Sequence, residues 1–250
     1  MPNQTPTRLT PQPATPARLQ LGQTGPAIPT REHLRFQLDH AQARDAVHTP
    51  LDLNLLQQGL TARNLPHLTL RSNAPDRPTY LRRPDLGRTL HPDSVEALRQ
   101  SVLSPIIALI LADGLSAQAL EKHALPLLDA LLPLLSPNPC ALISVTLATN
   151  ARVALADEIG HLLQADITLL LIGERPGLSS PDSLGVYLTW NPSPGRTDAE
   201  RNCISNIRGN AGLSYEEAAL RILHYLTEAN RLQTTGITLK DPPTTHLLKP

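Results

Sequence analysis

Apolar positions follow two regimes along this chain. Over residues 30–48 they recur at helical spacing, through Leu34, Leu38, Ala41 and Ala46, with Thr30 placed as an N-cap. Thr49-Pro50 supplies a second cap with proline at the first helical position, predicting a helix that runs to Gly59. Residues 63–92, rich in Arg and Pro, read as a loop, and Asp93 or Ser94 opens a short helix ending near Ser101. From Pro105 the period changes. Residues 105–112 form a continuous apolar run ending in Asp113-Gly114, the signature of a strand buried on both faces. Residues 140–148, 167–172 and 185–190 give three further strands. Helical patterns separate the earlier ones: 116–135, expected to bend or break at Pro126 and Pro133, and a helix capped by Thr149 or Asn150 that runs to about Gln164. Ser214 to Glu217 matches an S-x-x-E capping box. It opens a long helix with Tyr215, Ala218, Ile222, Leu226 and Leu232 on one face.

Strands alternating with helices imply an α/β fold: a doubly wound, mainly parallel, Rossmann-like sheet preceded by a small helical N-terminal region. The expected organisation is a flexible Pro-rich arm over 1–29, the helical region over 30–103 and the Rossmann-like domain over 104–250. The arm carries Pro, Thr and Gln and too little apolar surface to offset the entropy of ordering.

Composition narrows the function. Aromatic residues make up only 2% of the chain against 40% hydrophobic overall, so the core is aliphatic. Twenty-two basic and 22 acidic residues cancel, which opposes nucleic acid as the main partner because phosphate backbones call for a basic excess. Cys140 and Cys203 form neither a disulfide framework nor a C-x-x-C pair, as expected of a chain in a reducing compartment. No apolar run reaches the roughly 18 residues that span a bilayer, and prolines interrupt the N-terminus where a secretory signal would need an apolar core.

In open α/β sheets ligands gather beyond the carboxyl ends of the strands. Four loops are placed there: Asp113-Gly114, Thr149-Asn150, the segment opening with Gly173-Glu174-Arg175-Pro176-Gly177, and Asn191-Pro192, which leads to the box Thr197-Asp198-Ala199-Glu200 and then to Cys203. Familiar catalytic signatures are missing. There is no G-x-G-x-x-G after a strand, no Walker loop, no H-E-x-x-H, no G-x-S-x-G elbow and no D-x-H-x-x-G. His123 and His161 fit helix positions better than metal ligation, and Cys203 taken alone is a small apolar residue rather than a reactive thiol. A stand-alone nucleotide enzyme therefore lacks its phosphate cradle, and the residues describe an α/β binding domain without self-contained catalytic machinery.

Several long segments carry a specific resemblance. Leu171-Ile172-Gly173-Glu174-Arg175-Pro176-Gly177-Leu178 with Asp182-Ser183-Leu184, Thr197 through Ile207, and Gly212-Leu213-Ser214-Tyr215 resemble the ethanolamine ammonia-lyase small subunit. So do Thr15-Pro16-Ala17-Arg18-Leu19, Leu34-Arg35-Phe36, Ala43-Arg44-Asp45-Ala46-Val47 and Ala112-Asp113-Gly114-Leu115-Ser116. The resemblance implies a heteromeric, adenosylcobalamin-dependent lyase that turns ethanolamine into acetaldehyde and ammonia by a radical route. A large β/α-barrel subunit holds the substrate, and the small subunit covers the cofactor from another side, inactive alone. The resemblance further implies that Val153, Glu174 and Cys203 contact cobalamin, that no residue here is catalytic or ligates metal, and that the cofactor keeps its own dimethylbenzimidazole base. All three contact residues are expected at one edge of the sheet. The competing expectation is a purely structural subunit that stabilises the oligomer without touching the cofactor. The implied setting is the bacterial cytoplasm, inside or outside a protein-shelled microcompartment. The prolines of the arm oppose an amphipathic loading helix and suggest an extended strap along the large subunit.

Overall fold

The computed structural model describes residues 21–22, 25–101, 105–135 and 143–241. Most of the Pro-rich arm, and Cys140, lie outside the described residues. The elements in chain order are α1 (Thr30–His48), α2 (Leu53–Ala62), β1 (His67–Arg71), α3 (Arg77–Arg82), α4 (Pro92–Gln100), β2 (Ile107–Ala112), α5 (Ala117–Leu135), β3 (Ile143–Thr149), α6 (Leu155–Leu162), β4 (Ile167–Gly173), β5 (Leu184–Trp190), β6 (Asn202–Ile207) and α7 (Tyr215–Leu232).

One six-stranded sheet runs in the order β1-β3-β2-β4-β5-β6. The first four strands are mutually parallel, while β5 is antiparallel to β4 and β6 antiparallel to β5. The sheet is therefore mixed: the expected parallel arrangement holds for β1 to β4, and the Rossmann-like continuation is corrected, because β5 and β6 run antiparallel. The cause lies in the ten residues 174–183 between β4 and β5. A parallel return needs a crossover of about a dozen residues or more, usually helical. This connection is polar, carries Pro176 and Pro181, and turns back directly.

Period-two alternation sorts the strand side chains onto two faces. Leu109 and Leu111 of β2 join Leu147, Leu169, Leu171 and Val186 against α5 and α7, with Leu56 and Leu60 of α2 in the same cluster. Ala108, Ile110 and Ala112 turn the other way, toward Leu98 of α4 and Leu155 and Ile159 of α6. Helices cover both faces, as expected of a doubly wound sheet.

Two helix expectations hold closely. α1 spans the anticipated residues, though Pro29 and not Thr30 is its N-cap, and the Ser214 side chain caps α7 by accepting from Glu217 N at 3.2 Å. Others shift. Asp52, not Thr49, caps α2, and α6 starts only at Leu155, after an irregular turn. α5 is not broken: it runs through both Pro126 and Pro133. Burial of Leu120, Leu127, Leu128 and Leu131 offsets the roughly 3 kcal/mol that an interior proline costs. Residues 63–92 are not simply loop, since they hold the edge strand β1, paired through Leu70 with Ala148, and the short α3. β1 buries only Leu70 completely, so its apolar period is faint in the sequence.

Candidate functional site

β2 is followed in the chain by its neighbour β3, and β3 then returns across β2 to β4 on the other side. Strand order thus reverses at β2, and the crevice beyond the carboxyl ends of β2 and β4 is the topological switch point where such sheets take ligands. There the turn after β2 meets the turn after β4 through backbone. Leu115 N donates to Gly173 O at 2.9 Å, and a Cβ on Gly173 would stand 2.0 Å from Ser116 O. Gly114 adopts φ +54°, which L side chains avoid.

Asp113 organises this edge. Its carboxylate accepts from Asn150 N at 2.9 Å and Ala151 N at 3.1 Å and pairs with Arg77 at 3.0 Å, with both side chains almost fully buried. Arg77 also donates to Gly114 O at 2.7 Å and Val47 O at 2.8 Å. Burial pushes the Asp113 carboxyl up from its usual range, against the pull of Arg77 and the two amides. The turn 150–154 that carries Val153 is thereby pinned to the end of β2.

Glu174, directly after β4, is engaged inside the chain. Its two carboxylate oxygens accept from Ser183 Oγ, from Ser205 Oγ at 2.5 Å and from Asn206 N at 3.3 Å. The residue therefore staples β6 to the loop after β4, a role the sequence did not announce. Arg175 beside it is exposed.

Cys203 lies within β6, opposite Tyr187 of β5, rather than in a loop at the strand ends. Because β5 is antiparallel, its trailing loop at Asn191-Pro192 sits at the opposite edge of the sheet. The expectation of three contact residues at one edge is corrected accordingly. Val153 and Glu174 share the carboxyl edge, whereas Cys203 stands further down the face. Tyr187 bridges the gap. It faces Cys203 across the strand pair and lines the same hollows as Val153. Burial first, and the Cys203 thiol second, push the Tyr187 hydroxyl up. Burial also pushes the Cys203 thiol up, with Glu174 adding to the shift and Tyr187 opposing it. Cys203 is exposed by surface area, and the upward shift of its thiol favours the neutral form, which does not suit a nucleophile.

Two adjoining hollows share Arg152, Val153 and Tyr187. One, of about 420 Å³, sits at the switch point and adds Gly114, Ile172 and Glu174. The other, of about 780 Å³, runs across the sheet face between the turn around Arg88 and the segment 194–198. Apolar walls at Val153, Ile172 and Tyr187, rimmed by guanidinium, carboxylate and hydroxyl groups that can pair with amides, suit a large ligand with an apolar ring and polar edges. A corrin bordered by amide side chains has that chemistry. Among the described residues no cluster of three or more His, Cys, Asp or Glu side chains is placed to hold a metal ion. Sequence reasoning missed Tyr187 and Arg152. Their only signal was an aromatic residue in a chain with few, and a lone Arg entering a helix start.

The model of the ethanolamine ammonia-lyase light chain matches residues 9–240. The chain belongs to that family. Ethanolamine ammonia-lyase small subunits of Azotobacter vinelandii, Bradyrhizobium diazoefficiens and Pseudomonas aeruginosa are 54%, 53% and 52% identical to it. Each alignment covers 91% of this chain and 85%, 87% and 84% of the respective relative. As a light chain of this lyase family, it is one subunit of a heteromeric enzyme.

Proposed function

We propose that this chain is the small subunit of an adenosylcobalamin-dependent ethanolamine ammonia-lyase and that it forms one wall of the cofactor site at the interface with the large subunit. When bound, the cofactor supplies the radical that converts ethanolamine to acetaldehyde and ammonia. Here Val153 packs against the corrin edge, Tyr187 and Cys203 continue that wall down the sheet face, and Glu174 holds β6 in register so that they do. The observation that carries this reading is the meeting of the switch-point crevice with the sheet-face hollow around Arg152, Val153 and Tyr187.

Partnership with a large subunit is supported by α1. This 19-residue helix buries only Ala46 and leaves Leu34, Phe36 and Leu38 exposed. Helices in proteins draw most of their stability from packing, and this one, with little of its surface buried, calls for a covering surface. No helix among the described residues is long and apolar enough to cross a membrane. The site of action proposed is the bacterial cytoplasm, within a microcompartment where the organism builds one.

A second reading has one observation in its favour. Glu174 is already satisfied by Ser183, Ser205 and Asn206, as expected of a residue that only stabilises structure. Titration of adenosylcobalamin into this chain, the large subunit and their complex separates the two. Tight binding and ethanolamine-dependent acetaldehyde release in the complex alone establish the shared site. Equal cofactor affinity and turnover by the large subunit without this chain reduce it to a scaffold.

A further inference from the structure

The chain as a whole has no net charge, yet the sheet-face hollow is basic. Arg88, Arg152, Arg196 and Arg201 line it, against Glu158 and Asp198. Most of these groups are committed elsewhere. Arg196 pairs with Glu200 at 2.6 Å, Arg201 pairs with Asp157 and with Asp198 at 2.9 Å, and Glu158 accepts from Leu90 N at 2.8 Å. Arg88 and Arg152 have no carboxylate partner among the described residues.

Arg152 is held in place as few solvated arginines are. Its amide donates to Gly87 O at 2.8 Å, its Nη2 donates to Tyr80 O at 3.3 Å, and its guanidinium lies 4.3 Å from the Tyr80 ring centroid. Gly87 leaves room for it: a Cβ there would stand 2.9 Å from Arg152 Cγ. Its Nε is buried and has no hydrogen-bond partner. The guanidinium is thus a cationic donor fixed by stacking at the wall of both hollows, with no carboxylate among the described residues to neutralise it. Arg88, the residue after Gly87, places a second free guanidinium on the same wall.

We infer that Arg152 and Arg88 form an anion subsite for a phosphate ester, filled in the complex by the phosphodiester of the cobalamin nucleotide tail. The assignment rests on the proposed cofactor reading. Val153, next to Arg152 and shared by both hollows, then meets the apolar ring while the guanidiniums take the charged tail. A free phosphate has the same chemistry, and the test separates the two sources.

The complex with the large subunit is titrated with cobalamin and with cobinamide, which keeps the corrin but lacks the nucleotide tail and its phosphodiester. Affinity is read from the absorbance of the corrin. Arg152→Gln is expected to weaken cobalamin about tenfold, as the loss of a charge-assisted bidentate contact does, and to leave cobinamide within about twofold. Arg152→Lys restores part of the loss. Arg88→Gln, on an exposed turn, shows the same selectivity at smaller size and carries the test if Arg152→Gln fails to assemble. Inorganic phosphate in millimolar excess should compete with cobalamin and not with cobinamide in the unaltered complex. Equal losses for both corrinoids, or no loss for either, overturn the subsite while leaving the cofactor reading in place. Phosphate competition that persists unchanged in both Arg variants also overturns it. An unaltered complex that binds neither corrinoid overturns the cofactor reading itself.

Discussion

In β2 and β4 every residue is buried, whereas β6 buries only Asn202, Ile204 and Ile207 and leaves Cys203, Ser205 and Asn206 exposed. The parallel strands are held by aliphatic contact on both faces. The antiparallel edge is held by directional polar anchors. Asn202 donates to Gly236 O and Leu239 O, both at 3.2 Å, and accepts from Gly236 N at 2.7 Å. Arg201 forms a buried ion pair with Asp157 of α6, and Glu174 bonds Ser205 and Asn206. Non-directional burial gives a rigid platform, while directional anchors fix where individual side chains stand. The proposed site needs both, because Val153 belongs to the first region and Tyr187 with Cys203 to the second.

The largest way to break the edge is Asp157→Ala. It leaves the Arg201 guanidinium, whose side chain is 3% exposed, paired only with the solvent-facing Asp198. A loss of about 4 kcal/mol is expected, as for other buried charges stripped of a partner. Amide exchange should rise first in β6, before β2 and β4. A double replacement, Asp157→Leu with Arg201→Met, should recover most of the stability, since an apolar pair of similar volume replaces the ion pair. Full loss in the double variant as well would mean that the anchor acts through something other than the unpaired charge.

Leu109→Ala attacks the other region. Leu109 is buried at the centre of the sheet, and a cavity there costs about 3 kcal/mol. Here the loss should be global, with urea midpoints of all probes falling together. A local loss confined to the β2 end would show that the platform is less cooperative than its packing implies.

The same contrast decides what the sequence revealed. β2 and β4 were legible because burial on both faces writes an unbroken apolar run, and their turns at Asp113-Gly114 and Gly173-Glu174 follow directly. β6 was missed because Asn202-Cys203-Ile204-Ser205-Asn206-Ile207 has only two aliphatic positions and takes its stability from side chains far along the chain, Glu174 and Asp157 among them. The antiparallel turn of β5 was readable in principle from the short polar connection 174–183, though not from β5 itself, whose apolar run looks like that of a parallel strand. Arg152 could not be singled out by pattern. Its meaning comes from Tyr80 and Gly87, more than sixty residues earlier, and only the fold brings them together.

Gly185→Ala probes the joint between the regions at lower cost. A Cβ at 185 would stand 2.8 Å from Glu174 Oε1 and 3.0 Å from its Cγ, and that side chain can move. About 1 kcal/mol is expected from the crowding. The informative change is local: Glu174 is pushed off Ser205 and Asn206, and exchange at the Asn206 amide rises. An unaltered Asn206 amide would show that Glu174 is not the staple.

The smallest effect concerns the turn ahead of β6. Thr197 N donates to Glu200 Oε2 at 2.7 Å and Arg196 pairs with Oε1 at 2.6 Å, closing a capping box before Arg201. The Thr197 amide first, and then the Arg196 guanidinium, hold the Glu200 carboxyl down at about 2. Its folded pKa lies below the unfolded value, so its contribution is complete above pH ~4.5 and fades as pH falls toward 2. The stability gap between the unaltered protein and Glu200→Gln should therefore be constant near neutrality and shrink across that acid window, measured by urea unfolding at fixed pH steps. A gap that does not change with pH would place the turn's stability in the Thr197 backbone alone. Arg201 and the edge it anchors would then be set without any help from the charge at Glu200.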